Sequence, residues 1–285
     1  MNILITGANG QLGKSIQKLA PSYTDYDFTY TDYEELDITN FEQVKKYFSD
    51  HQFDVLINCA AYTAVDKAEE EEDKARLLNV TATEHLAKLA KEFNIYLIHI
   101  STDFVFDGEK KLYYTEIDKP NPLSIYGKTK ADGENAITKN AGNAIILRTS
   151  WLYSEFGNNF LKTIIRLANE RDSLNIVDDQ TGTPTYAGDL AKFILDTLPK
   201  TTEIKGVHTY HYSNAGETSW YGFAKAIVNI MGIRCKIKPI PTRNYPLPAQ
   251  RPAYSVMTKE KIISEFDIAI PYWKESLKKC IAIMY

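Results

Sequence analysis

Asn2-Ile-Leu-Ile-Thr-Gly-Ala-Asn-Gly-Gln-Leu-Gly13 runs a short apolar strand pattern straight into three glycines and then into a helical pattern. A strand that meets glycine at once and reopens as a helix is the first half of a βαβ unit. The spacing is G-x-x-G-x-x-G rather than the better-known G-x-G-x-x-G. Gly7, Gly10 and Gly13 let the backbone come close to a pyrophosphate. The free N–H groups and the positive end of the helix dipole then meet the phosphate charge. Three glycines alone could be no more than a tight turn. Their place at the start of a βαβ series points to nucleotide binding.

Outward from that turn the same alternation continues. Asp27-Phe-Thr-Tyr-Thr31, Asp54-Val-Leu-Ile-Asn58, Ile95-Tyr-Leu-Ile-His-Ile100 and Asn143-Ala-Ile-Ile-Leu-Arg148 are short β-branched or apolar runs separated by helix-length segments. The most apolar of these runs do not alternate, which predicts strands covered by helices on both faces of a parallel sheet. Thr39-Asn-Phe-Glu42 reads as a capping box for a helix reaching Phe48, and Val80 to Phe93 has helical periodicity. The acidic run Glu69 to Asp73 reads as a solvated first helical turn. The fold class is therefore α/β, a Rossmann-type doubly wound parallel sheet.

After Arg148 the texture changes, with dense Asn, Gly, Pro and aromatic residues, which predicts a smaller mixed α/β region. The division is 1–150 for the dinucleotide-binding domain and 151–285 for the second region, with segments near 155–200 and 218–238 returning to the first. Val207 to Ser213 alternates like a strand, while Ser219 to Met231 and Pro271 to Tyr285 read as helices.

Composition bounds the function. The chain has 285 residues, 44% hydrophobic and 25% charged, which is ordinary for a globular protein and excludes disorder and small disulfide scaffolds. A net charge of -4 argues against a nucleic-acid backbone as main partner. Cys59, Cys235 and Cys280 are odd in number and widely spaced, so buried thiols are expected rather than a disulfide framework or a zinc site. No signal peptide or membrane-length apolar run is visible, and the expected location is the cytoplasm.

Asp32 falls 19 residues after Gly13, where a carboxylate can accept from adenosine ribose hydroxyls, although a plain loop aspartate would read the same way. No Lys or Arg lies between Pro21 and Val44, so a 2'-phosphate has no obvious partner and NADH is at least as acceptable as NADPH. Tyr126 and Lys130 are four apart in Ser-Ile-Tyr-Gly-Lys-Thr-Lys and share a face if that segment is helical. Tyr221 and Lys225 have the same spacing, so context must choose. The first pair follows a strand ending in Ser101-Thr102-Asp103, where parallel sheets place their sites. Tyr126 could then act as an acid, with Lys130 lowering its pKa. A drop of about three units would need about 4 kcal/mol. Thr102 would bond the reacting carbonyl or the tyrosine.

These motifs, with Asn58-Cys-Ala-Ala-Tyr-Thr-Ala-Val-Asp-Lys-Ala-Glu69, Ser101-Thr-Asp-Phe-Val-Phe-Asp-Gly108, Arg148-Thr-Ser-Trp-Leu-Tyr153, Asp178-Asp-Gln-Thr-Gly-Thr-Pro-Thr185 and Arg251-Pro-Ala-Tyr-Ser255, resemble the extended short-chain dehydrogenase/reductases. Within them they are most similar to the dTDP-4-dehydrorhamnose reductases. The resemblance implies NAD(P)H-dependent reduction of the 4-keto group of a dTDP-linked 6-deoxyhexose to dTDP-L-rhamnose, with 151–285 mainly a substrate-binding region. It implies Tyr126 as proton donor, Lys130 as holder of the nicotinamide ribose, and Thr102 as the third catalytic group. Gly7, Gly10, Gln11, Leu12 and Gly13 would meet the pyrophosphate, with Asp32, Asp37 and Ile38 on the adenosine side. Ala61, Tyr62, Thr63 and Ser101 would line the inner part of the cofactor. Thr102, Asp103 and Trp151 would meet the sugar.

Related dehydratases carry an Asp-Glu pair after the threonine, whereas here Asp103 and Phe104 follow, so dehydration is poorly supported. Some relatives have an acidic residue of a magnesium-linked dimer where this chain has Gly188, so no metal is expected, although a homodimer stays compatible. Asp189 reads as a helix-start residue and Tyr254 departs from the family's smaller polar residue. Without the resemblance, Trp151 reads as core, His99 as a hydrogen-bonded core histidine, and His208 and His211 as facing opposite sides of a strand. A reductase for another 4-keto nucleotide sugar and a non-catalytic nucleotide-binding subunit remain the alternatives.

Overall fold

Apolar residues on both faces of the first strands set the architecture. The structure is a computed structural model that describes residues 1–285. β1 (Asn2–Thr6) feeds α1 (Gln11–Leu19), followed by β2 (Asp27–Thr31), α2 (Phe41–Asp50) and β3 (Val55–Asn58). Two short helices, α3 (Val65–Ala68) and α4 (Glu72–Arg76), lead through a π-helical turn at Leu77–Ala82 into α5 (Thr83–Glu92). β4 (Tyr96–Thr102), α6 (Ile125–Asn140) and β5 (Ala144–Thr149) complete the first half.

Three local expectations in this half need correction. The N-cap of α2 is Asn40, whose Oδ1 accepts from Gln43 N at 3.2 Å. Thr39 instead bonds back to Asp37, its Oγ1 donating to Oδ1 at 2.7 Å, so the shorter reach to Asp37 displaces the capping box. The helix expected from Val80 begins inside the π turn, where the wider winding aims Asn79 inward. The acidic run is not merely solvated, since Glu69 accepts from Ile125 N and Glu71 accepts from Tyr62 Oη and Lys74.

The chain continues through β6 (Leu152–Tyr153), α7 (Phe160–Glu170), β7 (Ser173–Val177), β8 (Thr181–Gly182), β9 (Thr185–Tyr186), α8 (Ala187–Thr201) and β10 (Val207–His211). It ends with β11 (Thr218–Ser219), α9 (Trp220–Met231), β12 (Lys236–Ile240), α10 (Glu260–Phe266) and α11 (Trp273–Met284). The strand read at Val207 lies on the edge of the main sheet, beside β5, rather than among the later elements. That sheet is six-stranded with order β10-β5-β4-β3-β1-β2, and every pairing is parallel.

Side-chain alternation divides the interior. Ile3 and Ile5 face Leu12 and Ile16 of α1 and Leu190, Ile194 and Leu198 of α8. Leu4, Leu56 and Leu97 face Val44, Phe48 and Leu86 on the other side. Each central strand is therefore apolar at successive positions because it has helices over both faces. A separate core, with Tyr153, Leu161, Phe223, Trp273 and Leu277, is closed by α7, α9 and α11 beside three two-stranded pairings, β6 with β9, β7 with β12 and β8 with β11. Strand order reverses around β1, so a crevice opens beyond the carboxyl ends of β1, β3 and β4.

Candidate active site

That crevice is a cleft of about 740 Å³. Its floor is the glycine turn. Gly7 has φ of +66°, and a Cβ there would lie 2.6 Å from Ala60 N, so a side chain would collide with the backbone after β3. The amides of Gln11, Leu12 and Gly13, in the first turn of α1, have no backbone or side-chain acceptor. Three unpaired N–H groups at a helix N-terminus beside a side-chain-free wall fit a pyrophosphate.

Gly7, Gly10, Gln11, Leu12, Gly13, Asp32, Asp37 and Ile38 all line this end of the cleft, as do Ala61 and Thr63. The carboxylate of Asp32 accepts from Asn9 N at 2.8 Å and from Tyr33 N at 2.8 Å, so it also fixes the turn. Gln11 is held by the later half of the chain, its Oε1 accepting from Ser154 Oγ at 3.0 Å and Asn159 Nδ2 at 2.9 Å. Tyr62 is not brought to the cleft. Its amide donates to Asn79 Oδ1 and its hydroxyl to Glu71, which turns the ring away.

The other end gathers Thr102, Tyr126 and Lys130, the candidate reactive groups. Ser124 caps α6, accepting from Gly127 N at 3.1 Å, and places Tyr126 and Lys130 one turn apart on the cleft side, both buried. A buried ion pair anchors α6 to β5, with Arg148 Nη2 on Glu134 Oε2 at 2.6 Å and Nε on Oε1 at 2.9 Å. Ser101, at the end of β4, donates to Glu134 as well as lining the cleft. The competing Tyr221–Lys225 pair is only a cation–π contact at 5.7 Å and does not line the cleft.

Electrostatics here differ from the expectation of a lowered tyrosine pKa. Burial pushes the Tyr126 hydroxyl up to about 12, with the Thr102 hydroxyl opposing and the Asp103 carboxylate adding to the rise. Lys130 does not offset this, because Nζ donates to Ile100 O at 2.7 Å and sits 3.1 Å from His99 Nε2. Burial brings Lys130 itself down to about 8. Tyr126 is thus a protonated phenol at neutral pH. That is the form a proton donor requires.

Thr102 Oγ1 lines the cleft, donates to Asp103 Oδ1 at 3.2 Å and accepts from Phe104 N. Asp103, expected at the sugar, instead turns under β4. It is 1% exposed and accepts from Ser255 Oγ at 2.6 Å, because a buried carboxylate needs donors and the later segment supplies one. Trp151 does line the cleft and is not simple core. Its φ of +46° is a strained value for a tryptophan, and its ring stacks on Trp220 with centroids 3.6 Å apart.

Several participants were not anticipated from sequence. Asn79 holds the Tyr62 backbone and Thr129, while Asn58 and His99 stand behind Lys130. Gly157, Asn158 and Asn159 close the cleft from the second region. Only Asn159 carried a usable signal, as the residue before the helical run at Phe160, whose Lys162 amide it caps. Asp189 is a helix-start residue occupied by Asn214, Ser276 and Lys279.

A doubly wound sheet with this turn and a Tyr-x-x-x-Lys helix at its carboxyl edge defines an oxidoreductase of the extended short-chain dehydrogenase/reductase class. Residues 1–285 match the family model described as RmlD substrate binding domain. A dTDP-4-dehydrorhamnose reductase from Aggregatibacter actinomycetemcomitans is 42% identical, with 97% of each chain covered. The crystal structure of a dTDP-4-dehydrorhamnose reductase from Clostridium acetobutylicum superposes with a TM-score of 0.94 at 44% identity, covering 100% of this chain and 99% of that one. The enzyme of that name from Bacillus anthracis, solved in complex with NADP, gives 0.94 at 38% identity, with 99% of each chain covered. The chain belongs to the dTDP-4-dehydrorhamnose reductase family.

Proposed function

We propose that the protein reduces the 4-keto group of dTDP-4-dehydro-L-rhamnose to dTDP-L-rhamnose with NADPH or NADH. The observation that carries this is the buried Tyr126 and Lys130, one turn apart on α6, at one end of a cleft whose other end is an unpaired helix N-terminus. Full-length likeness to reductases of that substrate supports the choice of sugar.

Bound in the cleft, the reduced nicotinamide supplies a hydride. The chain's own part is to hold the dinucleotide and deliver one proton. Gln11 to Gly13 receive the pyrophosphate, and Asp32, Asp37 and Ile38 flank the adenosine. Ala61, Thr63 and Ser101 flank the inner half, and Lys130 takes the ribose beside the nicotinamide. Thr102 rotates its hydroxyl from Asp103 to the substrate carbonyl oxygen, and Tyr126 protonates that oxygen. Trp151 packs on the sugar. In this reading residues 1–150, with α8 and β10, carry the cofactor; α7 and α9, in the segments expected to return to that half, pack in the second core instead, and most of 151–285 carries the sugar nucleotide.

No helix is long and apolar enough to cross a membrane. The setting we propose is the cytoplasm, with a small-molecule substrate and neither nucleic acid nor membrane as partner. The test is nicotinamide oxidation by purified protein given freshly generated dTDP-4-dehydro-L-rhamnose, with the product identified by NMR. Formation of dTDP-L-rhamnose is expected. Cofactor binding without oxidation would overturn the substrate assignment.

A further inference from the structure

Behind Lys130 lies a run of buried hydrogen bonds that the reaction outlined above does not use. Thr6 Oγ1 donates to Asn58 Oδ1 at 2.8 Å, and Asn58 Nδ2 is 3.1 Å from His99 Nδ1. His99 Nε2 is in turn 3.1 Å from Lys130 Nζ. Thr6, Asn58 and His99 are each 1% exposed and Lys130 is 2% exposed, so these groups are withdrawn from bulk solvent. The three rail residues come from neighbouring strands β1, β3 and β4, in register Thr6 with Asn58 and Asn58 with His99.

One backbone group fixes the direction of the whole series. Ala60 N–H donates to Asn58 Oδ1 at 3.2 Å, and an amide N–H cannot reverse its role. Asn58 Oδ1 is therefore an acceptor, which leaves Nδ2 facing His99 as a donor. A neutral imidazole that accepts at Nδ1 carries its proton on Nε2. That proton points at Lys130 Nζ, and an ammonium has no lone pair to receive it.

We propose that Asn58 and His99 are positioning residues that present an imidazole N–H to Lys130, so that Lys130 works as an amine that exchanges its proton rather than as a fixed cation. To hold an ammonium in its ordinary form, His99 would have to shift its proton to Nδ1. The Asn58 amide would then have to turn over and give up the Ala60 N–H bond. Burial acts in the same direction, keeping His99 neutral and drawing Lys130 down. The other titratable groups facing the pair do not replace this control. Cys59, at the end of β3, is a thiol pushed up to about 12, Tyr126 is a neutral phenol, and Glu134 is committed to Arg148 from β5. The inference rests on Lys130 being the partner of Tyr126, but its test needs neither cofactor nor substrate.

The experiment is NMR on the ligand-free, uniformly nitrogen-labelled full chain, reading the His99 ring nitrogens and titrating the Lys130 side chain. The expected result is a His99 protonated on Nε2 at pH 9, where Lys130, titrating near or below pH 8, is an amine. An Nδ1-protonated ring, or a Lys130 that stays charged to about pH 10 like a solvated lysine, overturns the proposal. Asn58→Asp provides the second arm. A carboxylate keeps the Ala60 and Thr6 bonds yet accepts from His99, so the ring proton should move to Nδ1 and Lys130 should titrate about one unit higher or more. If the ring tautomer in that variant is unchanged, the rail does not set it.

Discussion

Asp103 is the residue whose environment most directly sets a measurable property. Its carboxyl lies in the interior, where burial drives it up to about 6 despite the Ser255 and Thr102 hydroxyls. Between the ordinary value near 4 and that raised value the folded chain binds the extra proton. The stabilisation is therefore complete at low pH and is lost as pH rises through about 6, which amounts to about 3 kcal/mol. Asp103→Asn removes the titration. Thermal unfolding should show the variant gaining stability relative to wild type between about pH 4 and 7, and a constant difference across that range would contradict this burial. Asp103 also illustrates what a residue string hides. Ser101-Thr-Asp placed the carboxylate at the end of a strand, but nothing in it foretold that Ser255 would cover it. The raised Tyr126 is the same kind of surprise, because a lysine four residues away suggested a neighbour, whereas Nζ turns to Ile100 O and His99.

At the scale of elements, α6 carries Tyr126, the proposed proton donor, and is located by two contacts of different kinds. One is the buried Arg148–Glu134 pair, with side chains 5% and 7% exposed. Arg148→Met would leave Glu134 buried without its cation and should cost roughly 3–5 kcal/mol in denaturant unfolding. The other is steric. A Cβ at Gly133 would lie 2.2 Å from the carbonyl oxygen of Asn79, so α6 can approach the π turn only through a glycine. Gly133→Ala should therefore lower stability by roughly 1–3 kcal/mol. It should also weaken turnover more than a surface Gly→Ala change, because Asn79 holds both Tyr62 and Thr129. Equal effects on stability and none on turnover would show that the contact does not locate the helix. The main-sheet strands and the helices α1, α2, α5, α9 and α11 were legible, since periodicity is local, whereas α7, α8, β7 and β12 went unread. The π turn was not legible either, because its cause is the inward pull on Asn79 from segments distant in sequence.

Across the whole molecule, the glycine turn and the later half meet over one cleft, with Gln11 of α1 accepting from Ser154 and Asn159. A dinucleotide that fills this cleft binds only the assembled chain. At about a hundredfold excess over its Kd, NADPH should add about 2.7 kcal/mol to stability. The unfolding midpoint should rise by several degrees, and comparison with NADH ranks the two cofactors. No shift with either would remove the dinucleotide from the account. The parallel sheet and its carboxyl-edge site were readable from the order of apolar runs. That β10 would join the sheet after the intervening second-region elements was not, because an edge strand announces itself only by alternation. The measurement that bears most directly on the mechanism is single-turnover NADPH oxidation by wild type and Tyr126→Phe with dTDP-4-dehydro-L-rhamnose. Loss of a proton donor should slow the variant by about 10²–10⁴-fold while cofactor binding persists. A variant that turns over within a few fold of wild type would contradict the assignment of Tyr126 as the acid.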